Sequence, residues 1–201
     1  MIHNLLKDKE IILASASPRR MEIFKLVGLT AIQMPSHIEE DMIYDNPIKL
    51  VKYHAKNKAL AIKKQFENDH IVVGADTIVY HDNVILEKPV DIYQAADFLS
   101  RLSNSVHYVY TGIAIAYKNQ IISDYAKSRV EFSPLSALEI EEYIKTREPL
   151  DKAGAYGIQG YGSQFIKKIN GCYFNVMGFP VSLFYKMVKS IVSKDKGVAN
   201  E

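Results

Sequence analysis

The stretch "ILASASPRR" (residues 12–20) joins a buried strand to a helix and decides how the chain begins to fold. Residues 11–14 are all apolar or small, a pattern that predicts a buried strand. Ser17 is a favourable N-cap residue, and Pro18 suits the first position of the helix that follows. We therefore expect a strand, a tight turn and a helix that ends at Gly28.

Two arginines at the start of this helix need an explanation. A helix N-terminus carries partial positive charge and favours acidic residues, yet Arg19 and Arg20 lie there. Free backbone N–H groups, the Ser15 hydroxyl and two guanidinium groups together favour an anion, and phosphate fits because arginine binds it through two hydrogen bonds. The alternative is a helix start whose arginines face water. The sequence contains no GxxxxGK[ST] loop, so this is not a P-loop.

The composition is typical of a soluble globular protein. With 201 residues, of which 48% are hydrophobic and 24% charged, the chain can bury a sizeable core. We predict one domain over residues 1–201, with room for two lobes. The 25 basic and 23 acidic residues give a net charge of +2, which is too balanced to indicate binding to nucleic acid or to an anionic membrane.

The cysteine count and the hydropathy pattern predict a soluble protein of a reducing compartment. Cys172 is the only cysteine, which excludes an internal disulfide and a Cys/His zinc site. The N-terminal sequence lacks the apolar core of a signal peptide, and no apolar run approaches the length of a membrane span. We therefore expect a cytoplasmic protein, and the sequence leaves open whether it forms a homodimer.

Apolar periodicity predicts an α/β fold in which helices pack as layers on a mixed sheet. A long helix is expected over residues 47–66, and a β-hairpin over residues 70–89. A capping box at residues 136–139 begins another helix. An Asn170-Gly171 turn is expected to connect two strands before a final helix that starts at Pro180.

Asp76 is a carboxylate inside an apolar run. It stands in "VVGADTIVY" (residues 72–80), where its neighbours predict burial. Burying a carboxylate is costly unless it is paired or binds a metal. Either its pKa is raised, which suits a general base, or a nearby cation keeps it ionised. The alternative is an aspartate at the end of a strand that caps a turn.

Further charged residues offer partners for an anion and for a cation. Lys88 lies on the return strand of the hairpin, Lys152 lies in "PLDKAGAYG", and Lys58 lies at the edge of the apolar face of the long helix. Most lysines of that helix are expected to face water, so at most one or two should point into a site. The acidic triplet at residues 39–41 offers oxygen ligands for Mg²⁺ or Mn²⁺, or else is a solvated loop.

The glycines in "GAYGIQGYG" (residues 154–162) allow the backbone to approach a ligand closely. Gln159 adds an amide with both a donor and an acceptor. The alternative is an ordinary series of tight turns. Taken together, basic side chains for several phosphates, carboxylates for a cation and a buried aspartate to activate water suit the hydrolysis of a polyphosphate ester.

Four motifs in this order resemble the Maf family of nucleoside triphosphate pyrophosphatases: "LASASPRR", "GADT", "LEKP" and "DKAGAYGIQGYG". The resemblance extends over residues 11–190. It implies an α/β fold with a deep cleft between two lobes, related to the inosine triphosphate pyrophosphatases. It also implies hydrolysis of a nucleoside triphosphate to the monophosphate and diphosphate with a divalent cation.

The resemblance implies roles for individual residues. Asp76 would be the catalytic base and a ligand of the metal, and Glu40 would lie near that metal. Basic side chains would bind the phosphates: Arg20, Lys58 and Lys88. We expect Ser15 and Lys152 to bind the substrate as well.

Three positions resemble the members of the family that act on dTTP and UTP. Arg19, Thr77 and Gln159 stand where the members that act on 7-methylguanosine triphosphate carry Trp, Gln and Glu. A glutamine amide can pair with the O4 acceptor and the N3–H donor of uracil or thymine, although a flipped amide would serve cytosine. We therefore predict a dTTP/UTP pyrophosphatase that uses Mg²⁺ or Mn²⁺, in which Asp76 deprotonates a water that attacks the α-phosphorus. Modified pyrimidine nucleotides stay open as substrates.

Two other functions are open at this stage. One is a nucleotide-binding regulator without catalysis, since members of the Maf family are associated with arrest of cell division; such a protein would not need the costly buried carboxylate of Asp76. The other is a nucleic-acid-binding module that uses the lysine-rich helix. The near-zero net charge and the lack of a strand with interleaved aromatic and basic residues disfavour it.

Overall fold

The computed structural model describes residues 1–66 and 69–197. The helices are α1 (Ile2–Leu5), α2 (Pro18–Leu26), α3 (Pro47–Lys63), α4 (Ile92–Leu102), α5 (Ala137–Lys145), α6 (Tyr173–Val176) and α7 (Val181–Gly197). The strands are β1 (Ile11–Ala14), β2 (Ile32–Gln33), β3 (Ile71–His81), β4 (Val84–Leu86), β5 (Val106–Tyr117), β6 (Gln120–Phe132) and β7 (Ile166–Asn170). Among the helices described, none combines the length and the apolar character that crossing a membrane requires.

The strands form one mixed sheet in the order β2-β1-β3-β5-β6-β7, and β4 pairs with β3 outside this path. β1 runs parallel to both β2 and β3, whereas β4 is antiparallel to β3 and β7 is antiparallel to β6. This confirms the predicted α/β fold with a mixed sheet and flanking helices. The cleft that the resemblance implies stays a prediction.

The chain divides into two compact units. The first comprises residues 1–76, residues 111–126 and the chain from residue 178 onward, and the second comprises residues 77–110 and 127–177. That residues 1–201 form a single domain stays a prediction.

Local sequence signals explain several of these elements. Ser17 occupies the N-cap of α2 with Pro18 after it, as expected, although its side chain makes no capping hydrogen bond. The Asn46 side chain does cap α3, since it accepts hydrogen bonds from the backbone N–H groups of Ile48 and Lys49. The capping box of α5 forms as predicted. These features depend on neighbours in the sequence, which is why the sequence reveals them.

β3 and β4 form the β-hairpin that the sequence predicts, and Asp76 lies on its first strand. Its turn places Asp82 and Asn83 at φ 45° and 61°, a left-handed conformation that these two residue types tolerate better than most. The turn sets the register that pairs His81 with Val84. Asp76 therefore lies in the middle of an 11-residue strand rather than at its end.

In the first unit, α3 packs directly on the sheet because two strand residues lack a side chain. A Cβ atom at Gly74 of β3 would lie 2.1 Å from the carbonyl oxygen of Ala55, and one at Gly112 of β5 would lie 2.3 Å from that of Val51. Both distances are too short for any real Cβ atom. On the helix side, Ala55 and Ala59 of α3 are fully buried members of one hydrophobic core cluster. Glycine at these two strand positions thus allows the helix backbone to touch the sheet.

The second unit has its own core, in which aromatic rings pack around a buried histidine. His107 is fully buried, and its Nε2 atom lies 2.8 Å from the Tyr156 hydroxyl. Burial lowers the pKa of His107 to about 3, with a smaller contribution from His81, so the ring is neutral at physiological pH. Phe132 packs edge-on against both rings.

The strand predicted after Asn170-Gly171 is wrong: this segment forms the short helix α6. The reason is the side chain of Asn175, which is fully buried. Its amide donates to the carbonyl of Val109 at 2.9 Å and to the hydroxyl of Ser128 at 3.0 Å. These partners are far away in the sequence, so the local pattern gave no sign of them. The long helix also ends at Lys63, three residues earlier than predicted.

The packing of α3 generates a stability prediction. We expect Gly74→Ala to lower the free energy of unfolding by about 3 kcal/mol, because the new Cβ atom meets helix backbone that has to move. Gly28→Ala is the control: nothing lies within 4 Å of that position, and its φ of 71° alone should cost about 1 kcal/mol. Urea denaturation measures both. A smaller loss for Gly74→Ala than for Gly28→Ala would contradict the packing described.

Candidate active site

The arginine pair at the start of α2 has one buried member. Arg20 is 8% exposed, and its guanidinium donates from Nε to the carbonyl of Gly178 at 2.9 Å and from Nη1 to the Ser15 hydroxyl at 2.8 Å. Burial lowers the pKa of Arg20, but the negative charges of Asp76 and Glu40 oppose this effect. The alternative in which both arginines face water is therefore wrong for Arg20. Arg19 is half-buried.

A second group of predicted residues meets where α3 faces β3. The Lys58 ammonium donates to Asp76 Oδ1 at 2.7 Å and lies 2.9 Å from Glu40 Oε1. The side chains of Lys58 and Asp76 are 9% and 6% exposed, whereas that of Glu40 is 44% exposed. One buried ammonium thus bridges two carboxylates. That Lys58 is one of the at most two lysines of the helix that point into a site stays a prediction.

The surroundings of Asp76 decide between the two alternatives that the sequence left open. Burial by itself would raise the pKa of Asp76. The charge of Lys58 and the hydrogen bonds from His54 and Lys58 outweigh burial, so the pKa of Asp76 lies well below its ordinary value. Asp76 is therefore an ionised carboxylate that a cation stabilises, and that cation is a lysine side chain.

His54 completes the cluster, and sequence reasoning missed it. Its Nδ1 atom lies 3.3 Å from Asp76 Oδ2, and its Nε2 atom lies 3.0 Å from the backbone carbonyl of Asp41. Both partners can only accept hydrogen bonds, so the ring satisfies both when it is doubly protonated. Burial would lower the pKa of His54, but the hydrogen bonds and the charge of Asp76 outweigh burial and raise it. His54 lies one helical turn before Lys58, and this spacing was the available signal.

Three side chains of this cluster have the chemistry of a metal site. One ligand atom from each of Glu40, His54 and Asp76 lies within 4.8 Å of the others. Carboxylate oxygens suit both Mg²⁺ and Mn²⁺, whereas an imidazole ligand is more typical of transition metals than of Mg²⁺. Both oxygens of Asp76 already accept hydrogen bonds from Lys58 and His54, so a cation bound here would have to replace at least one of these contacts. The donor set therefore fits a divalent cation in competition with Lys58.

The other predicted site residues belong to the second unit. Thr77 follows Asp76 in β3 and is half-buried, and Lys88 and Gln159 are exposed. The Lys152 ammonium donates to the backbone carbonyl of Glu148 at 2.7 Å and pairs with Asp151. The roles of these four residues in binding a substrate stay predictions.

This chain is similar to several known proteins. A "dTTP/UTP pyrophosphatase" of Bacillus cereus is 44% identical over 182 residues, which cover 90% of this chain and 89% of the relative. A protein of the same name from Bacillus anthracis is 43% identical over 90% of this chain and 95% of its own. Among solved structures, the Staphylococcus aureus Ham1 protein has a TM-score of 0.45 and 14% identity over 62% of this chain and 72% of its own.

The family itself follows from a match over most of the sequence. The family model described as "Maf-like protein" matches residues 10–191, a range that includes the whole second unit, most of the first and every predicted site residue. The chain therefore belongs to the family of Maf-like proteins.

Proposed function

We propose that this protein is a nucleoside triphosphate pyrophosphatase that hydrolyses dTTP and UTP to the monophosphate and diphosphate. The observation that carries the proposal is the buried, ionised Asp76, held by Lys58 and His54 beside the half-exposed Glu40. The names of relatives with 43–44% identity over 90% of the chain support the substrate class. A cytoplasmic location stays a prediction, and the formation of a homodimer stays open.

Basic side chains account for the binding of the triphosphate. Arg20 and Lys58 are buried cations of the first unit, and each of them can donate several hydrogen bonds to phosphate oxygens. Ser15 holds the Arg20 guanidinium in place through its hydroxyl. In the second unit, Lys88 and Lys152 supply further positive charge, and Lys152 exchanges its contact with Asp151 for the substrate. Arg19, Thr77 and Gln159 select the base.

Asp76 acts as the base, and its partner Lys58 controls how strong a base it is. A carboxylate with so low a pKa is ionised at neutral pH but accepts a proton poorly. When the Lys58 ammonium donates to phosphate oxygens instead, Asp76 loses its strongest partner and its basicity increases. Asp76 then takes a proton from the attacking water, whose oxygen bonds to the α-phosphorus. The bond from the α-phosphorus to the bridging oxygen breaks, and diphosphate leaves with that oxygen.

Glu40 and Asp76 are the residues that would hold Mg²⁺ or Mn²⁺, and His54 would join them only after its ring loses a proton. When bound, such a cation neutralises negative charge on the polyphosphate. Glu40 suits this role best in the free protein because its side chain is 44% exposed and therefore reachable from solvent. Lys58 bridges the same two carboxylates, so substrate binding and cation binding favour each other: a phosphate that attracts Lys58 frees carboxylate oxygens for the cation.

The reaction itself generates the first functional prediction. Diphosphate release from dTTP and UTP should fall on the order of a thousandfold in Asp76→Asn, because the amide cannot accept the proton from water. The control is Asp8→Asn, which makes the same chemical change at an exposed aspartate of the same unit and should leave the rate unchanged. The measurement is the rate of diphosphate release from each of dTTP, UTP, CTP, GTP and 7-methylguanosine triphosphate, with Mg²⁺ or Mn²⁺ present.

Two results would contradict the proposed reaction. Orthophosphate as the first product would mean attack at the γ-phosphorus. Intact nucleotide binding without any product release would instead favour a regulator that does not catalyse.

The metal site generates a second functional prediction, which binding measures without turnover. We expect Glu40→Gln to weaken the affinity for Mn²⁺ alone by about tenfold, since a neutral amide oxygen replaces a charged ligand. Glu39→Gln is the matched control at the neighbouring exposed glutamate and should bind as the wild type does. Electron paramagnetic resonance of free Mn²⁺ measures both. An equal loss of Mn²⁺ affinity in the two variants would contradict this prediction, because it would show that the acidic residues 39–41 attract cations only through their overall charge.

A further inference from the structure

We propose that Glu148 is a positioning residue for base selection, because its carboxylate fixes the backbone on both sides of Gln159. The inference rests on the proposed function, in which Gln159 reads the base. Glu148 lies at the start of the 3₁₀ turn Glu148–Asp151, eleven residues before Gln159, and its sequence position does not suggest a contact with that loop.

The Glu148 carboxylate accepts hydrogen bonds from the chain just after Gln159. Its Oε2 atom accepts from the backbone N–H of Tyr161 at 2.8 Å, and its Oε1 atom accepts from that of Gly162 at 3.2 Å. Hydrogen bonds to an ionised acceptor are stronger than those between neutral groups. The carboxylate thus holds two successive backbone N–H groups, the first of them two residues after Gln159.

The same carboxylate reaches the chain before Gln159 through one tyrosine. The Tyr143 hydroxyl donates to Glu148 Oε1 at 2.9 Å and accepts from the backbone N–H of Gly157 at 3.2 Å. Burial and the contact with Glu148 raise the pKa of Tyr143, so its hydroxyl keeps the proton that it donates. Gly157 lies two residues before Gln159. Glu148 and Tyr143 together therefore hold the loop at both ends.

The glycines of this loop permit these contacts. A Cβ atom at Gly160 would lie 2.2 Å from Glu148 Oε2, and one at Gly162 would lie 2.6 Å from the Tyr143 hydroxyl oxygen. The sequence suggested that the glycines admit a ligand, but at these two positions the close neighbour is the protein itself. The loop backbone can therefore wrap around the Glu148 carboxylate, while the Gln159 side chain stays exposed.

The charge of Glu148 is essential to this arrangement. All three of its partners donate, and a glutamine in its place would turn one acceptor atom into a donor that faces another donor. The loop would then lose a contact on at least one side of Gln159. We expect the backbone that presents Gln159 to become mobile, while Asp76 and Lys58 keep their own contacts within the first unit.

The test is steady-state kinetics of diphosphate release from UTP and GTP by the full chain. In Glu148→Gln we expect the KM for UTP to rise about tenfold, kcat to stay within about twofold and the preference for UTP over GTP to fall about tenfold. Glu142→Gln, at an exposed glutamate of α5, is the matched control and should change nothing. Gln159→Ala should lose the same preference for UTP. The double variant, with Glu148→Gln and Gln159→Ala together, should lose no more of this preference than either single variant does.

A second variant keeps the test valid if Glu148→Gln folds poorly. Tyr143→Phe retains the ring that packs against Phe165 but removes the link to Gly157, so it should cause a smaller loss of the same preference. A Glu148→Gln enzyme that keeps the UTP preference while Gln159→Ala loses it overturns the inference alone. Wild-type protein that releases no diphosphate overturns the proposed function and the inference together. Gln159→Ala that keeps the preference overturns the base-selecting role of Gln159 and with it the inference, but leaves the proposed hydrolysis standing.

Discussion

The close approach of α3 to the sheet is the constraint on which the rest of the site depends. Glycine at 74 and 112 lets the helix backbone touch β3 and β5, and no larger residue would leave room for it. Asp76 lies two residues after Gly74, so its side chain is on the face of β3 that α3 contacts at Gly74. Lys58 and His54, one turn apart on α3, therefore meet its carboxylate at hydrogen-bond distance.

In the proposed reaction, the cluster built on this contact serves chemistry more than stability. Burying a carboxylate and an ammonium costs hydration energy that their attraction only partly restores, so such a pair is weak evidence for a stable fold. The arrangement provides a carboxylate that stays charged in an apolar strand and whose basicity depends most strongly on Lys58. A polyanionic substrate competes for Lys58, which couples binding of the phosphates to activation of Asp76 in the proposed reaction.

The sequence predicted those features whose causes are local. The strand and helix around Ser17 and Pro18, the Asn46 cap, the hairpin after Asp76 and the capping box of α5 all depend on near neighbours. Burial of Asp76 followed from its apolar run, but the pattern left open whether its pKa rises or falls, because Lys58 reaches it only in the folded chain. The contacts that give His54, Glu148 and Asn175 their places join residues distant in the sequence, and only His54 had a local signal, its spacing of one helical turn from Lys58.

The most direct test of the account is the ionisation of Asp76 in the metal-free protein. Carbon-13 NMR of labelled aspartate side chains, assigned with Asp76→Asn, reports the charge of this carboxyl group as the pH falls. The account predicts that Asp76 stays ionised below the ordinary aspartate pKa of about 3.9, because Lys58 and His54 stabilise its charged form. Titration above that value would mean that burial dominates, and would contradict the charge arrangement on which the proposed mechanism rests.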